Sequence, residues 1–149
     1  MHLEWQRDGF TLVTDPARID AAAVHAYLVR SYWAEHIPLE TVRRSLEHSL
    51  CFAVHEGERL VAFSRVVTDH ATVAYVGDVF VLEGWRGRGL SKWMMECMVA
   101  HPALQGLRRW ILLTRDAHGL YQRVGFTPLV APERWMERRT PRPYPPAAP

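Results

Sequence analysis

The sequence predicts a single α/β (α+β) domain in which helices cover both faces of a mixed, mostly antiparallel central sheet. Residues 50–82 are rich in β-branched and aromatic residues and are broken by short turns, a pattern typical of an antiparallel meander. Residues 78–114 then run as strand, glycine-rich loop, helix and strand, which is typical of a parallel crossover. A meander followed by a crossover gives a mixed sheet.

The first third of the chain predicts one short strand and two helices. Residues 10–14 look like a short strand, and Asp20 can cap a helix over residues 20–32. Pro38 is favourable at the start of a second helix, because a proline lacks the N–H that is unpaired there. An aromatic and polar connector, residues 32–37, joins the two helices.

The middle of the chain predicts three strands and a helix. The strands cover residues 50–55, 59–68 and 72–82, with short polar turns between them. A helix follows the glycine loop and ends before Pro102. Its apolar positions recur at helical spacing, which predicts that one side is buried, and they are Leu90, Trp93, Met94, Cys97 and Met98.

The last part of the chain predicts a strand over residues 108–114 and a short helix over residues 117–124 that ends at Gly125. A final strand pair is predicted over residues 126–130 and 133–138. The folded domain is expected to span residues 1–139. The proline-rich residues 140–149 have no core-forming pattern and are expected to be disordered.

Composition excludes several classes of protein. The 149 residues carry a net charge of +2, with 48% hydrophobic and 23% charged residues, which is ordinary for a globular domain. No apolar run reaches the roughly 18 residues of a membrane span, and the N-terminus lacks the pattern of a secretion signal, so no membrane association is expected. Two cysteines without ligand spacing predict a cytoplasmic protein with no metal site. Scattered basic residues argue against nucleic-acid binding.

A glycine-rich loop at residues 86–91 carries the first functional signal. It joins an apolar strand to the start of an amphipathic helix, where free N–H groups and the positive end of the helix dipole suit an anion. The loop lacks the lysine of a P-loop and the third glycine of a dinucleotide fingerprint. On its own it is equally consistent with a plain strand-to-helix turn.

Three segments together resemble the GNAT (Gcn5-related N-acetyltransferase) family. Arg86-x-x-Gly89-x-Ser91 resembles the R/Q-x-x-G-x-G/A signature, and residues 78–81 resemble the central strand before it. Residues 117–126 resemble the family's A-x-x-x-Y-x-x-x-G-F segment. The order of elements is similar too, so that the resemblance covers about residues 10 to 138.

The resemblance implies acetyl-CoA as the co-substrate, and no metal. The central strand would bind the pantetheine arm through Val79, Phe80 and Val81, and backbone groups near Phe80 and Val81 would polarise the thioester. The loop would bind the pyrophosphate, and the residues it maps to are Arg86, Gly87, Arg88, Gly89, Leu90, Ser91 and Lys92. A strand that splays from its neighbour leaves amides free to pair with an extended ligand.

Two catalytic residues follow from the resemblance. Tyr121 matches the general acid that protonates the departing thiolate. Asp78 matches the second of two acids that some members place before the central strand, and it is expected to act as the base only if a bulge re-aims it. The alternatives are a buried Asp78 bonded to backbone amides, or a water relay through Glu35, His36, Tyr75 or His118.

Four further residues are expected at the site by resemblance. Thr114 stands where many members have an asparagine that contacts CoA. The connector between the first two helices often lines the acceptor site, which here implies Tyr32, Trp33 and Glu35. Aromatic walls with one carboxylate suit an amine; the alternative is a Trp33 that plugs the core and a solvated Glu35.

The sequence therefore predicts a cytoplasmic N-acetyltransferase that acts on a primary amine of a small molecule or a peptide by direct attack in a ternary complex. Two other functions stay open. One is a CoA-binding sensor that does not catalyse, and the other is a nucleic-acid binder that uses Arg86 and Arg88. The acceptor, the acyl range and the oligomeric state, a dimer included, are not fixed by the sequence.

Overall fold

A computed structural model describes residues 1–146 of the chain; residues 147–149 lie outside the described part. Within residues 1–146, one six-stranded sheet has its strands in chain order. Neighbouring strands are antiparallel except the last two, which are parallel. The strands are β1 (Glu4–Arg7), β2 (Phe10–Val13), β3 (Leu50–Glu56), β4 (Arg59–Thr68), β5 (Val73–Val81) and β6 (Arg109–Leu112). The predicted mixed sheet is confirmed.

Helices pack on both faces of the sheet, as predicted. They are α1 (Ala21–Leu28), α2 (Leu39–Glu47), α3 (Leu90–Val99) and α4 (His118–Gln122). The Asp20 side chain accepts a hydrogen bond from the Ala22 N–H at 2.9 Å and so caps α1. Both α1 and α4 are shorter than the sequence predicted, and a connector of irregular backbone joins α1 to α2.

Two apolar clusters form the core, one on each face of the sheet. On one face, α3 buries the apolar stripe that the sequence predicts, and Met94 and Met98 are fully buried there. On the other face, α1 and α2 cover Phe63 and Phe80. The two clusters hold α3 on one side of the sheet and the α1–α2 connector on the other, with β5 between them.

A β-bulge interrupts β5 in its middle. The pairing with β4 shifts between Phe63 and Arg65, so that β5 carries one residue more than β4 over this stretch. Asp78 lies in the bulge with φ +52°, a left-handed conformation that aspartate tolerates better than most residues. The bulge turns the Asp78 side chain to the face that carries Arg65 and α1.

The two ends of the chain differ from the sequence-based expectation. The sequence did not predict β1, which pairs with β2 at an edge of the sheet. The final strand pair predicted over residues 126–130 and 133–138 was wrong, because these described residues are irregular apart from a single turn of 3-10 helix at Pro132–Arg134. In the tail that was expected to be disordered, Tyr144 packs against the cluster under α1 and α2.

Candidate functional site

A cleft opens where β5 and β6 part. Their parallel pairing ends at Val76 and Leu112, while β5 continues to Val81. The opening widens into a cleft of about 630 Å³. Its walls come from α1, the connector after it, the second half of β5, the glycine loop, the start of α3 and the loop before α4.

The open edge of β5 presents backbone groups to this cleft. The Leu82 N–H donates to the Val61 carbonyl at 2.9 Å. In an antiparallel pair every second residue directs its backbone groups to the partner strand, so Leu82 and Phe80 bond to β4. The polar groups of Val79 and Val81 therefore point away from β4 and toward the cleft, whereas the Phe80 N–H points to β4. The Phe80 ring stacks on the Tyr27 ring, 4.1 Å between centroids.

The glycine loop supplies a second set of free amides. Gly87 and Gly89 have φ of 78° and 75°, a conformation that favours glycine, and Gly89 is the N-cap of α3. No acceptor in the described part of the chain reaches the N–H groups of residues 87–92. These amides and the dipole of α3 make the turn suitable for a phosphate.

Basic residues around the loop differ in what they contact. Arg86 is already engaged, because its Nε donates to the Val81 carbonyl at 3.0 Å and its Nη2 to the Tyr27 hydroxyl at 2.9 Å. Lys92 lines the cleft and lies 3.7 Å from the Glu96 carboxylate. Arg88 is outside the cleft lining and lies 3.9 Å from Glu56. Arg86 thus fastens the loop to β5 and α1.

Tyr121 is the residue of α4 whose side chain is buried beside the cleft. Burial, with a smaller contribution from nearby Tyr32, raises the pKa of its hydroxyl to about 12. No hydrogen bond to this hydroxyl is present among residues 1–146. The hydroxyl is therefore protonated at neutral pH and free to donate a proton or a hydrogen bond into the cleft.

Asp78 does not line the cleft, although the sequence placed it at the site. The Trp33 Nε1–H donates to its Oδ1 at 2.9 Å, and the Arg65 Nε–H donates to its Oδ2 at 2.6 Å. Arg65 also donates to the Ser49 hydroxyl at 3.1 Å. Side chains, and not the backbone amides of the alternative interpretation, thus occupy both carboxylate oxygens. The bulge positions Asp78 to hold Trp33.

The connector after α1 forms the outer wall of the cleft. Tyr32 lies under the guanidinium of Arg115, 4.0 Å from the ring centroid, so the connector and the loop after β6 touch across the opening. Trp33 lies edge-on to Tyr32 at 5.1 Å. Both aromatic residues line the cleft, but Glu35 does not, and its carboxylate lies 3.4 Å from His36.

Thr114 is placed beside α4 and outside the cleft lining. Its hydroxyl accepts a hydrogen bond from the Ala117 N–H at 3.0 Å, immediately before α4 begins at His118. In this structure Thr114 orders the loop that leads to Tyr121.

A comparison with protein families identifies the family to which this fold belongs. The model of the acetyltransferase (GNAT) domain matches residues 47–128, more than half of the chain. The chain belongs to the GNAT family of acetyltransferases. The match includes β5, the glycine loop, α3 and Tyr121, whereas α1 and the connector after it lie before the matched range.

Individual relatives agree with this assignment. A GNAT-family protein of Xanthomonas campestris, described as a candidate acetyltransferase, is 49% identical, with a TM-score of 0.89 over 93% of this chain and 99% of its own. A candidate acetyltransferase of Gibberella zeae is 30% identical over 140 residues, with 78% of each chain covered. A Clostridium acetobutylicum structure solved with acetyl-CoA has 12% identity and a TM-score of 0.61 over 93% of this chain and 96% of its own, which shows a shared fold.

The described residues contain neither a membrane-spanning helix nor a metal-binding cluster. In residues 1–146, no helix combines the length and the apolar character that crossing a membrane requires. In the same residues, no group of three or more His, Cys, Asp or Glu side chains is arranged to hold a metal ion.

Several residues that line the cleft of this GNAT domain, or hold the side chains behind its wall, escaped sequence analysis. Arg65, which holds Asp78, and Arg115, which covers Tyr32, carry no local signal, because each partner lies far away in the chain. Arg30 bonds Glu83 through both guanidinium nitrogens at 2.6 and 3.0 Å and stacks on Tyr27. Only the three-dimensional fold brings these pairs together.

Proposed function

We propose that the protein is a cytoplasmic N-acetyltransferase that transfers an acetyl group from acetyl-CoA to a primary amine by direct attack in a ternary complex. One observation carries the proposal. A single cleft brings together the open edge of β5, the free amides at the start of α3 and the protonated hydroxyl of Tyr121. Two buried free cysteines suit a reducing compartment.

The cleft fits the two polar parts of CoA. The N–H groups of residues 87–92 and the nearby Lys92 ammonium would bind the pyrophosphate. The open edge of β5 would pair with the pantetheine amides as an added strand does, through the backbone of Val79 and the N–H of Val81, whose carbonyl already accepts from Arg86. Arg86 would support both, because it ties the loop to Val81 and leaves the loop amides free.

Acetyl transfer needs one bond formed and one bond broken. The amine nitrogen attacks the thioester carbonyl carbon, and the carbon–sulfur bond breaks as the thiolate leaves. A β5 amide at the cleft would stabilise the charge on the carbonyl oxygen. Tyr121 would protonate the thiolate and then be reprotonated from solvent. The amine proton passes to water in the open cleft.

Asp78 has no proton-transfer role in this proposal. Its two oxygens accept from Trp33 and Arg65, and it lies outside the cleft lining. We therefore assign it the positioning of Trp33, and we expect the amine to react after it loses its proton to water.

The alternative function is a CoA-binding sensor without catalysis. The engaged Asp78 favours it, because no carboxylate base from β5 reaches the cleft. The position of the Tyr121 hydroxyl favours the enzyme, because a protein that only binds CoA does not need a proton donor beside the cleft. Turnover of acetyl-CoA against a panel of small amines and peptides separates the two: CoA binding without turnover on any amine would indicate the sensor.

Calorimetric titration with CoA and acetyl-CoA tests the binding step directly. Gly89→Asp should abolish binding, because it puts a like charge at the turn and forces a side chain into φ 75°. Gly84→Asp is the matched control, since it adds the same charge in the 3-10 turn just before the loop, at a position with open space and outside the cleft lining. Normal binding by Gly89→Asp would show that the loop does not hold the pyrophosphate.

A further inference from the structure

The connector after α1 gives the cleft an aromatic surface that is fixed in place. The Trp33 ring lines the cleft and is 39% exposed. Its Nε1–H donates to the Asp78 carboxylate at 2.9 Å, and Arg65 holds the same carboxylate from the other side. The side chains of this ion pair are only 20% and 12% exposed, and Asp78 adopts φ +52°, a conformation that clusters at functional sites. A mostly buried ion pair thus orients a ring that is itself open to water.

The Trp33 ring is not covered in the way that the two tyrosines beside it are. The Arg30 guanidinium lies over the Tyr27 ring, 4.5 Å from its centroid, and the Arg115 guanidinium lies over the Tyr32 ring at 4.0 Å. Trp33 meets these two tyrosine rings at angles of 42° and 79°, so neither stacks on it. Within residues 1–146 no guanidinium lies over Trp33. A flat ring of a ligand can therefore stack on Trp33.

The charges along the cleft do not suit a protonated amine. The lining contains a single acidic residue, Asp116, which is 75% exposed and lies 3.9 Å from the Arg115 guanidinium. Arginines occupy both oxygens of Glu83 and one oxygen of Asp78, and neither acid lines the cleft. Basic residues outnumber the acid in the lining, and they are Arg30, Arg86, Lys92, Arg115 and Arg123. An ammonium group thus meets no buried carboxylate here, and the surrounding positive charge disfavours its charged form.

We propose that the acceptor is an aromatic amine of the aniline type, whose nitrogen is neutral at pH 7, and that its ring stacks on Trp33. An alkylamine like the lysine side chain has a pKa of about 10.4, so that fewer than about one molecule in a thousand is neutral at pH 7. An amine bonded directly to an aromatic ring shares its lone pair with the ring and needs no base before it attacks. This inference rests on the proposed acetyl transfer and names the class of acceptor for that site.

The transfer balances without a carboxylate base. The lone pair of the neutral nitrogen forms the bond to the acetyl carbon, and the carbon–sulfur bond breaks with its electron pair going to sulfur. The nitrogen then loses one proton to water in the cleft, and the sulfur gains one from Tyr121, which is reprotonated from solvent. The products are an N-aryl acetamide and the CoA thiol.

A comparison of aniline with benzylamine as acceptors tests the class of amine. Both carry the same ring, but benzylamine is protonated at pH 7. The lack of a base should cost the protonated amine roughly 100-fold in rate, and the weaker nucleophilicity of aniline offsets part of this difference. We therefore expect kcat/KM at pH 7 to be about 10-fold or more higher for aniline. Between pH 7 and 8.5, kcat/KM for benzylamine should rise about tenfold per pH unit with its neutral fraction, while that for aniline stays level.

Trp33→Leu tests the stacking of the acceptor ring. The substitution should raise KM for aniline up to about 10-fold, the equivalent of a stacked aromatic pair. The increase should be smaller for methoxyamine, which is also neutral at pH 7 but has no ring. Trp135→Leu is the matched control, because Trp135 is 38% exposed and lies outside the cleft lining. Its KM values should equal those of the wild type.

The outcomes separate this inference from the proposed function. A kcat/KM for benzylamine at pH 7 that equals or exceeds the value for aniline overturns the inference and leaves the acetyltransferase in place. An equal rise in KM for aniline and for methoxyamine in Trp33→Leu contradicts the stacking. If acetyl-CoA binds but no amine is acetylated, the proposed transfer fails and the inference fails with it.

Discussion

Tyr121 is the residue on which the chemistry of the proposed reaction depends. Removal of its hydroxyl by Tyr121→Phe should lower kcat about 100-fold, the usual contribution of a general acid, and leave the affinity for acetyl-CoA nearly unchanged. Steady-state kinetics with a responsive amine measure both. Tyr144→Phe is a suitable control, because that tyrosine packs on the other face of the sheet. An unchanged kcat would remove Tyr121 from the mechanism.

Asp78 is the residue for which the structure changes the expectation most. Asp78→Asn keeps a side chain that tolerates φ +52° but loses the charge that pairs with Arg65. We expect the free energy of unfolding to fall by about 2 kcal/mol, as for a hydrogen bond to a charged group, and kcat to fall less than about 10-fold. Denaturant unfolding and steady-state kinetics, both measured on the same preparation of the variant, test these two expectations.

A double-mutant cycle supplies the control for Asp78. Arg65→Met alone, and together with Asp78→Asn, should show that the two losses of stability are not additive, because they remove one interaction. A kcat reduced about 100-fold or more with stability unchanged would instead make Asp78 the catalytic base.

The difference between Tyr121 and Asp78 shows what local sequence could and could not predict. The glycine loop and the segment around Tyr121 are each a continuous stretch of the chain. The position of each depends on a single loop and the helix beside it. The surroundings of Asp78 depend on a bulge in β5 and on Trp33 and Arg65, which lie 45 and 13 residues away in the chain. A bulge depends on the pairing of two strands, which a single strand sequence does not specify.

Among the elements, the α1–α2 connector is the one expected to select the acceptor. Its Tyr32 is held across the cleft by Arg115, a contact typical of a cation–π pair. Arg115→Met should raise KM for the amine up to about 5-fold, the equivalent of an exposed pair of this kind, and leave KM for acetyl-CoA unchanged. Arg44→Met, an exposed arginine of α2 outside the cleft, is the control. Equal changes in both KM values would contradict the assignment.

Helices and strands whose apolar residues recur at regular spacing were predicted well. Elements without such a spacing were not. The buried stripe of α3 and the long strands β3, β4 and β5 follow directly from the sequence. Strand β1 was missed because Glu4–Arg7 has one apolar residue and lies at the edge of the sheet, where little of it is buried. The strands predicted over residues 126–130 and 133–138 do not form, because strand pairing is not a local property.

At the scale of the whole molecule, two buried thiols predict how stability depends on pH. Burial raises the pKa of Cys51 to about 12 and that of Cys97 to about 11. The unfolded chain therefore releases these protons first as pH rises above about 9, and the folded state loses stability by up to about 1.4 kcal/mol per pH unit for each thiol. Urea unfolding between pH 8 and 10 in reducing buffer measures this slope.

The matched variant for the pH experiment is Cys51→Ala with Cys97→Ala. It should be less stable than wild type at pH 8, because it leaves small cavities, but its stability should change less between pH 8 and 10. The same slope in the variant and in wild type would show that other groups cause the loss.

The strand order of the sheet also bears on how the protein folds during translation. Every strand of the described sheet pairs with its successor in the chain, and the first five are joined without the parallel crossover. Each of these strands can dock on the growing sheet soon after it leaves the ribosome, since its partner has already been made. The nascent chain then completes the domain with α3 and β6. The cleft therefore forms last, after most of the sheet that supports it.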